Sequence, residues 1–177
     1  MKKVYYTPYV YANPHYIYWP MSYQPHYAVQ EHTMMPHKSL RSPQINIKDY
    51  GGNPFVVNIE DAAEQNQTFR TALWTGRHLQ VTLMSLLPGE DIGLEVHHDV
   101  DQFLRLEEGH GIVQMGKSKS NLDFRRNVSE DDAIMVPAGT WHNITNTGNK
   151  RLKLYSIYAP PEHPFGTVHR TKADDMN

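Results

Sequence analysis

The feature that most constrains this chain is a run of short apolar segments between residues 69 and 158, nearly all separated by Gly, Pro, Asn or Asp. The segments are rich in Thr, Val, Leu and aromatic residues, which favour β-strands. They are Phe69–Thr75, His78–Leu87, Ile92–His97, Gln102–Glu107, Gly111–Met115, Leu122–Val128, Ala133–Val136, Trp141–Asn146 and Leu152–Tyr158. Eight or nine short strands at this spacing predict an all-β antiparallel sandwich or barrel. Before them, Asn58 is placed to cap a short helix over residues 59–65.

The composition changes near residue 45, which divides the chain into a low-complexity arm (residues 1–45) and a folded domain (residues 46–177). The arm holds eight of the 11 tyrosines and half of the 12 prolines, and the prolines recur too often for a helix or a paired strand to persist. Leu and Ile are nearly absent from it, so little aliphatic core can form there. Two interpretations stay open: a disordered tail, or an adhesive or assembly segment whose Tyr and Pro residues stack on other chains.

Composition also excludes several classes of chemistry and of partner. The chain has no cysteine, so the 11 histidines are the main candidates for metal ligation and proton transfer. The formal net charge of −2 does not favour nucleic acid or an anionic membrane as a partner. No apolar run approaches the roughly 20 residues of a transmembrane helix, and residues 4–9 are aromatic and interrupted by proline, unlike a secretory signal. We therefore expect a cytoplasmic protein.

Two neighbourhoods of the predicted barrel carry residues with the spacing of a metal site. Glu95 and His97 are two apart on a predicted strand, so their side chains leave the same face. Gln102 opens the next strand, and the turn at residues 137–139 delivers His142 onto a later one. If these strands line one barrel, four side chains converge on a point: Glu95, His97, Gln102 and His142. Two imidazoles, a carboxylate and an amide oxygen suit one divalent transition ion, namely Fe, Mn, Ni, Co or Zn.

These neighbourhoods resemble the two sequence motifs of the cupin superfamily. The matching residues are Gly89, His97, Gly109, Pro137, Gly139, His142 and Asn146. Glu95 stands where the family usually has its first His, and Gln102 stands where it usually has Glu. The ligand charge therefore stays at −1, while the amide oxygen is a weaker donor than imidazole. A cupin that has lost its metal is the alternative that these departures leave open.

A finer likeness concerns the stretches Phe69–Gly76, His78–Met84 and His163–His169. They resemble a group of small single-domain cupins often labelled mannose-6-phosphate isomerase-like. The resemblance implies a double-stranded β-helix (a jelly-roll barrel), one bound divalent ion, and a homodimer that pairs through an outer sheet. It leaves the arm unexplained.

The third ligand position has two candidates. Asp101 is adjacent to Gln102 and offers a stronger ligand if the corner before it takes the shorter length that the cupin motif allows. The step from Gln102 to Gly109 matches the motif and favours Gln102. We therefore take Gln102 as the predicted ligand.

The resemblance implies a metal-dependent protein that acts on or binds a small polar metabolite, with sugar isomerisation as the leading reaction. Glu95, His163 and His169 are the candidate catalytic bases, while Gln80 and Thr82 share a strand face and are candidate pocket groups. Oxygenase or decarboxylase chemistry would use the same ion with an open coordination position. Two further hypotheses are a non-catalytic binding module, and a structural protein of a layered assembly such as a spore coat that uses the arm.

Overall fold

The computed structural model describes residues 43–175, which form two antiparallel sheets and two short helices. In chain order the elements are α1 (Ile59–Gln65), β1 (Arg70–Thr75), β2 (Gln80–Leu86), β3 (Asp101–Glu108), β4 (His110–Gly116), β5 (Phe124–Ser129), β6 (Ala133–Val136), β7 (Trp141–Asn146), β8 (Leu152–Ala159), β9 (Val168–His169) and α2 (Lys172–Asp175). The larger sheet has the order β6-β3-β8-β2-β1-β9, and the smaller sheet has the order β5-β4-β7. The predicted all-β jelly-roll fold is confirmed.

Helix α1 covers the outer face of the larger sheet. It begins as predicted, because the Asn58 side chain accepts a hydrogen bond from the backbone N–H of Asp61. The buried Ala62 and Ala63 pack in one cluster with Leu73 of β1 and with Leu83, a residue of β2. This packing closes the outer face and leaves the inner face of the sheet to line the barrel.

The inner face of the larger sheet is polar at one end and apolar at the other. The strand register places Gln80, Tyr158 and Gln102 in one row across β2, β8 and β3, and the next row contains Thr82 and Ser156. All five residues are buried. Further along the strands, the inward-facing residues join an apolar core shared by both sheets: Met84, Leu86, Leu104, Leu106, Val113, Ile144, Leu152 and Leu154. The apolar end stabilises the barrel. The polar end is therefore where a functional site is expected.

The predicted strand over Ile92–His97 is wrong, although the residues that it was expected to place do come together. Gly93 has a φ of +93°, which interrupts the extended backbone, and no regular strand forms across residues 92–97. An isolated bridge joins Glu95 to His142, with backbone hydrogen bonds of 3.1 and 2.9 Å in the two directions. This bridge fixes Glu95 beside His142. The strand alternation from which the direction of the Glu95 side chain was predicted is absent.

The C-terminal segment returns to the larger sheet. Strand β9 pairs with β1 at Arg70–His169 and Thr71–Val168, and helix α2 follows it. A two-residue strand and a four-residue helix are too short to give a periodic sequence signal, so neither is predicted. This return brings Asp175 beside Arg70.

Residues 1–42, nearly all of the predicted arm, lie outside the described residues. Both interpretations of the arm, and the coat-assembly hypothesis with them, therefore stay predictions. Among residues 43–175, no helix is long and apolar enough to span a membrane.

Candidate metal centre

Glu95, His97 and His142 each bring one ligand atom to the polar end of the barrel. Glu95 Oε1 lies 3.4 Å from His97 Nε2 and 3.3 Å from His142 Nε2. One ligand atom from each of the three residues lies within 4.8 Å of the others. His142 is fully buried and His97 is 8% exposed, so the group sits inside the barrel rather than on its surface.

The four predicted ligand atoms are all buried and lack hydrogen-bond partners among the described residues: Glu95 Oε1, His97 Nε2, Gln102 Oε1 and His142 Nε2. Buried polar atoms in folded proteins are nearly always satisfied, so four unsatisfied atoms at one end of a barrel require an explanation. All four are nitrogen or oxygen donors of the kinds that bind divalent first-row ions. The residues present therefore fit a bound metal ion.

The side-chain amide of Gln102 is oriented with its oxygen free. Its Nε2 donates to Ser156 Oγ at 2.8 Å, and its Oε1 accepts no hydrogen bond from any of residues 43–175. Asp101 is exposed, and its Oδ1 instead accepts a hydrogen bond from the backbone N–H of Ala138 at 2.9 Å. This geometry supports Gln102 over Asp101, because Asp101 braces the turn that precedes His142.

Changing Gln102 to Glu is expected to tighten binding of Co(II) or Zn(II) by about tenfold, because affinity rises with the charge of the ligand set. The change takes the ligand charge from −1 to −2 and retains an oxygen at the same position. The dissociation constant would be measured by competition with a chromophoric chelator. Asp101→Asn is the matched control, since asparagine keeps the acceptor for Ala138 and leaves the site untouched. Unchanged affinity in Gln102→Glu alongside weakened binding in Asp101→Asn would exclude Gln102 as the ligand.

The tautomer of His142 is set by a backbone carbonyl. Its Nδ1 lies 2.9 Å from the carbonyl oxygen of Thr140. A carbonyl oxygen only accepts hydrogen bonds, so Nδ1 carries a proton, and in the neutral ring, the form that binds a metal ion, Nε2 presents its lone pair to the centre. An outward N–H bonded to a fixed acceptor is the usual arrangement of a metal-bound histidine.

Arg70 places a buried positive charge behind the centre. It is fully buried, and its Nη2 lies 4.0 Å from Glu95 Oε2. Its Nε and Nη2 donate to the two carboxylate oxygens of Asp175 at 2.9 and 3.3 Å, and its Nη1 donates to the Tyr158 hydroxyl at 2.6 Å. Arg70 is not among the site residues predicted from the sequence. The available signal was a charged residue at an inward position of a predicted strand.

Glu95 is held in its ionised form. Burial alone would raise the pKa of this carboxyl, but the neighbouring His142, His97 and Arg70 outweigh burial and hold the pKa well below its usual range. A carboxylate must be deprotonated to bind a metal ion, so these surroundings prepare Glu95 for that role.

The two histidines predicted as bases lie in different surroundings. His163 Nε2 is buried without a hydrogen-bond partner among the described residues. Its ring meets the Tyr158 ring edge-on at 5.1 Å between centroids, and the Tyr158 ring lies 5.6 Å from that of His97. His169 instead contacts the carboxylate of Asp175. His163 therefore lies at the polar end of the barrel with the metal group, while His169 does not join that group, and a catalytic role for either stays a prediction.

Comparison with known proteins identifies similar chains. Residues 82–158 match the Cupin domain family. The uncharacterized protein YrkC of Bacillus subtilis (strain 168) is 71% identical over 136 residues, which are 77% of this chain and 73% of YrkC. The uncharacterized protein L612 of Acanthamoeba polyphaga mimivirus is 44% identical over 115 residues, which are 64% of this chain and 70% of L612. The crystal structure of BH2720 from Bacillus halodurans superposes with a TM-score of 0.73 at 65% identity, covering 73% of this chain and 98% of that one.

Proposed function

Because the chain belongs to the cupin superfamily, we propose that it is a metal-binding cupin-domain protein that acts on or binds a small polar metabolite. Its ligands are Glu95, His97, Gln102 and His142. One observation carries the proposal: these residues direct four unpartnered, buried nitrogen and oxygen atoms into one end of the barrel. The set admits Fe, Mn, Ni, Co or Zn, and it lacks the sulfur that Cu(I) prefers.

The reaction that we propose is proton transfer of the sugar-isomerase type. A divalent ion held by Glu95, His97, Gln102 and His142 would supply Lewis-acid polarisation of a carbonyl oxygen, or of two neighbouring oxygens, of a ligand, which would acidify the adjacent C–H. His163 is the group proposed to take that proton at Nε2, which is buried and has no partner among residues 43–175. Burial and the charge of Arg70 lower the pKa of His163 to about 4, so the imidazole is neutral at physiological pH and free to accept a proton. The same surroundings disfavour the imidazolium, which favours return of the proton to the ligand.

Metal-loaded protein is expected to exchange the proton next to the carbonyl of a substrate sugar for deuterium in D₂O. The probe is a panel of free and phosphorylated aldoses and ketoses, and exchange is followed by NMR. His163→Asn is expected to slow the exchange about 10²–10⁴-fold, which is the usual contribution of a positioned base. His78→Asn, at an exposed position outside the barrel, is the matched control.

Two outcomes would count against this reaction. Exchange that is equally fast in the wild-type protein and in His163→Asn would remove His163 from the role of base. Stable binding of a panel member without any exchange would favour the alternative, a protein that binds its metabolite without converting it. Pairing of two chains through an outer sheet stays a prediction from the family resemblance.

A further inference from the structure

Residues 160–169, named here the C-terminal strap, connect β8 to the end of β9 and are tied down at two places. At one end, the buried Gln80 side chain bonds the strap backbone at Glu162 and His163. At the other, Asp49 Oδ2 accepts hydrogen bonds from the backbone N–H of Gly166 at 2.9 Å and from the Thr75 hydroxyl at 2.6 Å. The strap is therefore anchored to the larger sheet by Gln80 at the stretch that approaches the metal group, and again through Asp49 and Thr75 at Gly166.

Gln80 uses both ends of its amide to hold this stretch. Its Nε2 donates to the carbonyl oxygen of His163 at 2.8 Å and to the Thr75 hydroxyl at 2.9 Å. Its Oε1 accepts from the backbone N–H of His163 at 2.9 Å and of Glu162 at 3.3 Å. Gln80 is fully buried, so these bonds are protected from competition with water. A neutral side chain with a donor and an acceptor is required to make all four.

The hydrogen bonds from Gln80 to the strap backbone position the Glu162 carboxylate. Its Oε1 lies 3.0 Å from His97 Nδ1, on the side of the ring opposite the metal group. An ionised carboxylate only accepts hydrogen bonds, and Glu162 Oε1 is closer to Nδ1 (3.0 Å) than Glu95 Oε1 is to Nε2 (3.4 Å), so Glu162 favours the tautomer of His97 that carries its proton on Nδ1. In that tautomer Nε2 keeps its lone pair, and Nε2 is the atom that faces Glu95 at 3.4 Å. Glu162 thus does for His97 what the Thr140 carbonyl does for His142.

We propose that Gln80 and Glu162 are positioning residues for the metal centre: Gln80 holds the strap so that the Glu162 carboxylate fixes His97 with its Nε2 lone pair facing inward. This inference rests on the proposed metal site, and it adds a link between the position of the strap and the metal affinity. Metal affinity depends on the strap being in place, because one of the two imidazole ligands takes its tautomer and ring orientation from a strap residue. No sequence motif marks Glu162, whose backbone is held near His97 by a hydrogen bond to the Gln80 side chain.

The test uses two readouts on the full chain. The first is the His97 tautomer in metal-free protein, read from long-range ¹H–¹⁵N NMR spectra above the raised pKa of His97. The second is the dissociation constant for Co(II) or Zn(II). Glu162→Ala is expected to mix the tautomers and to weaken metal binding about 10–100-fold, which is the usual loss for a metal-bound histidine without its outer partner. Glu162→Gln is expected to recover much of both, because its amide oxygen still accepts from Nδ1–H.

Gln80→Ala is expected to change both readouts in the same direction as Glu162→Ala, and the double variant is expected to add little to either single change. Phe165→Ala is the matched control, because this strap residue is 67% exposed and takes no part in the hydrogen bonds of Gln80 or in the Glu162–His97 contact. A thermal melt confirms that each variant is folded.

The outcomes separate this inference from the metal site itself. An unchanged His97 tautomer and an unchanged metal affinity in Glu162→Ala would overturn the inference while the metal site stands. A different result would overturn the proposed function: wild-type protein that binds no ion. If His97 in that protein is still protonated on Nδ1, and if Glu162→Ala redistributes the proton, the effect of Glu162 on the His97 ring would be supported.

Discussion

Replacing Arg70 by methionine is expected to lower the free energy of unfolding by about 3–5 kcal/mol, which is the usual cost of removing one partner of a buried ion pair. Arg70 is fully buried and makes a two-pronged ion pair with Asp175, whose side chain is 15% exposed. Methionine fills a similar volume but removes the Arg70 donors from the Asp175 carboxylate, which keeps its contact with His169, and from the Tyr158 hydroxyl. The loss therefore reflects lost pairing of buried polar groups rather than an empty cavity.

The free energy would be measured by urea unfolding in the presence of a chelator, so that metal binding does not contribute. Arg125→Met is the matched control, because Arg125 is exposed on β5 and its loss is expected to cost no more than about 0.5 kcal/mol. Adding Asp175→Asn to Arg70→Met should cost less than the two single changes together, since they remove the same interaction. Equal losses for the Arg70 and Arg125 variants would contradict the buried pair.

The cost of losing Arg70 should depend on pH in a defined direction. Burial would raise the pKa of Asp175, but hydrogen bonds and charge from Arg70 outweigh it and lower that pKa. A carboxyl with a lowered pKa in the folded state stabilises the protein above its unfolded pKa, and that contribution is lost as the pH falls through the folded value. The difference between wild type and Arg70→Met should therefore be largest near neutral pH and should shrink in acid.

Changing His142 to alanine is expected to weaken binding of Co(II) or Zn(II) by more than about 100-fold, because it removes a ligand. Loss of the outer hydrogen-bond partner of a metal-bound histidine costs only about 10–100-fold. His142 Nε2 lies 3.3 Å from Glu95 Oε1 in the ligand group, and His142 is held by hydrogen bonds of its ring and of its backbone. His97→Ala is expected to have a similar effect. His98→Ala is a close control, because His98 is the next residue along the chain and its side chain is exposed. Weakened binding in the His98 variant would show that the loss is not specific to the site.

Strand alternation and turn chemistry predicted most of the fold. The bounds of β6 and β7 agree with those read from the sequence, because each strand lies between turn residues; buried and more exposed positions alternate along both. The same alternation correctly turns Gln102 into the barrel and Asp101 out of it. The expected strand before His97 fails at Gly93, whose positive φ is set by the loop rather than by any periodic pattern.

The parts of the site that the sequence did not reveal depend on contacts between distant residues. Arg70 and Asp175 are 105 positions apart, and their pairing requires the short return of the chain through β9 and α2. Glu162 reaches His97 because a side chain on β2 binds the strap backbone. The first pairing depends on the path of the C-terminal segment, and the second on a hydrogen bond to a backbone group, which carries no sequence signature, so neither could be read from residue types and spacing.

The most direct test of the metal centre is the metal content of the purified protein, measured by elemental mass spectrometry on wild type, His97→Ala, His142→Ala and His98→Ala. We expect close to one transition ion per chain in wild type and in the His98 variant, and almost none in the other two. The identity of the ion would then distinguish redox chemistry from Lewis-acid chemistry. Wild-type protein that is metal-free, and that also fails to take up added Fe, Mn, Ni, Co or Zn, would contradict the metal centre.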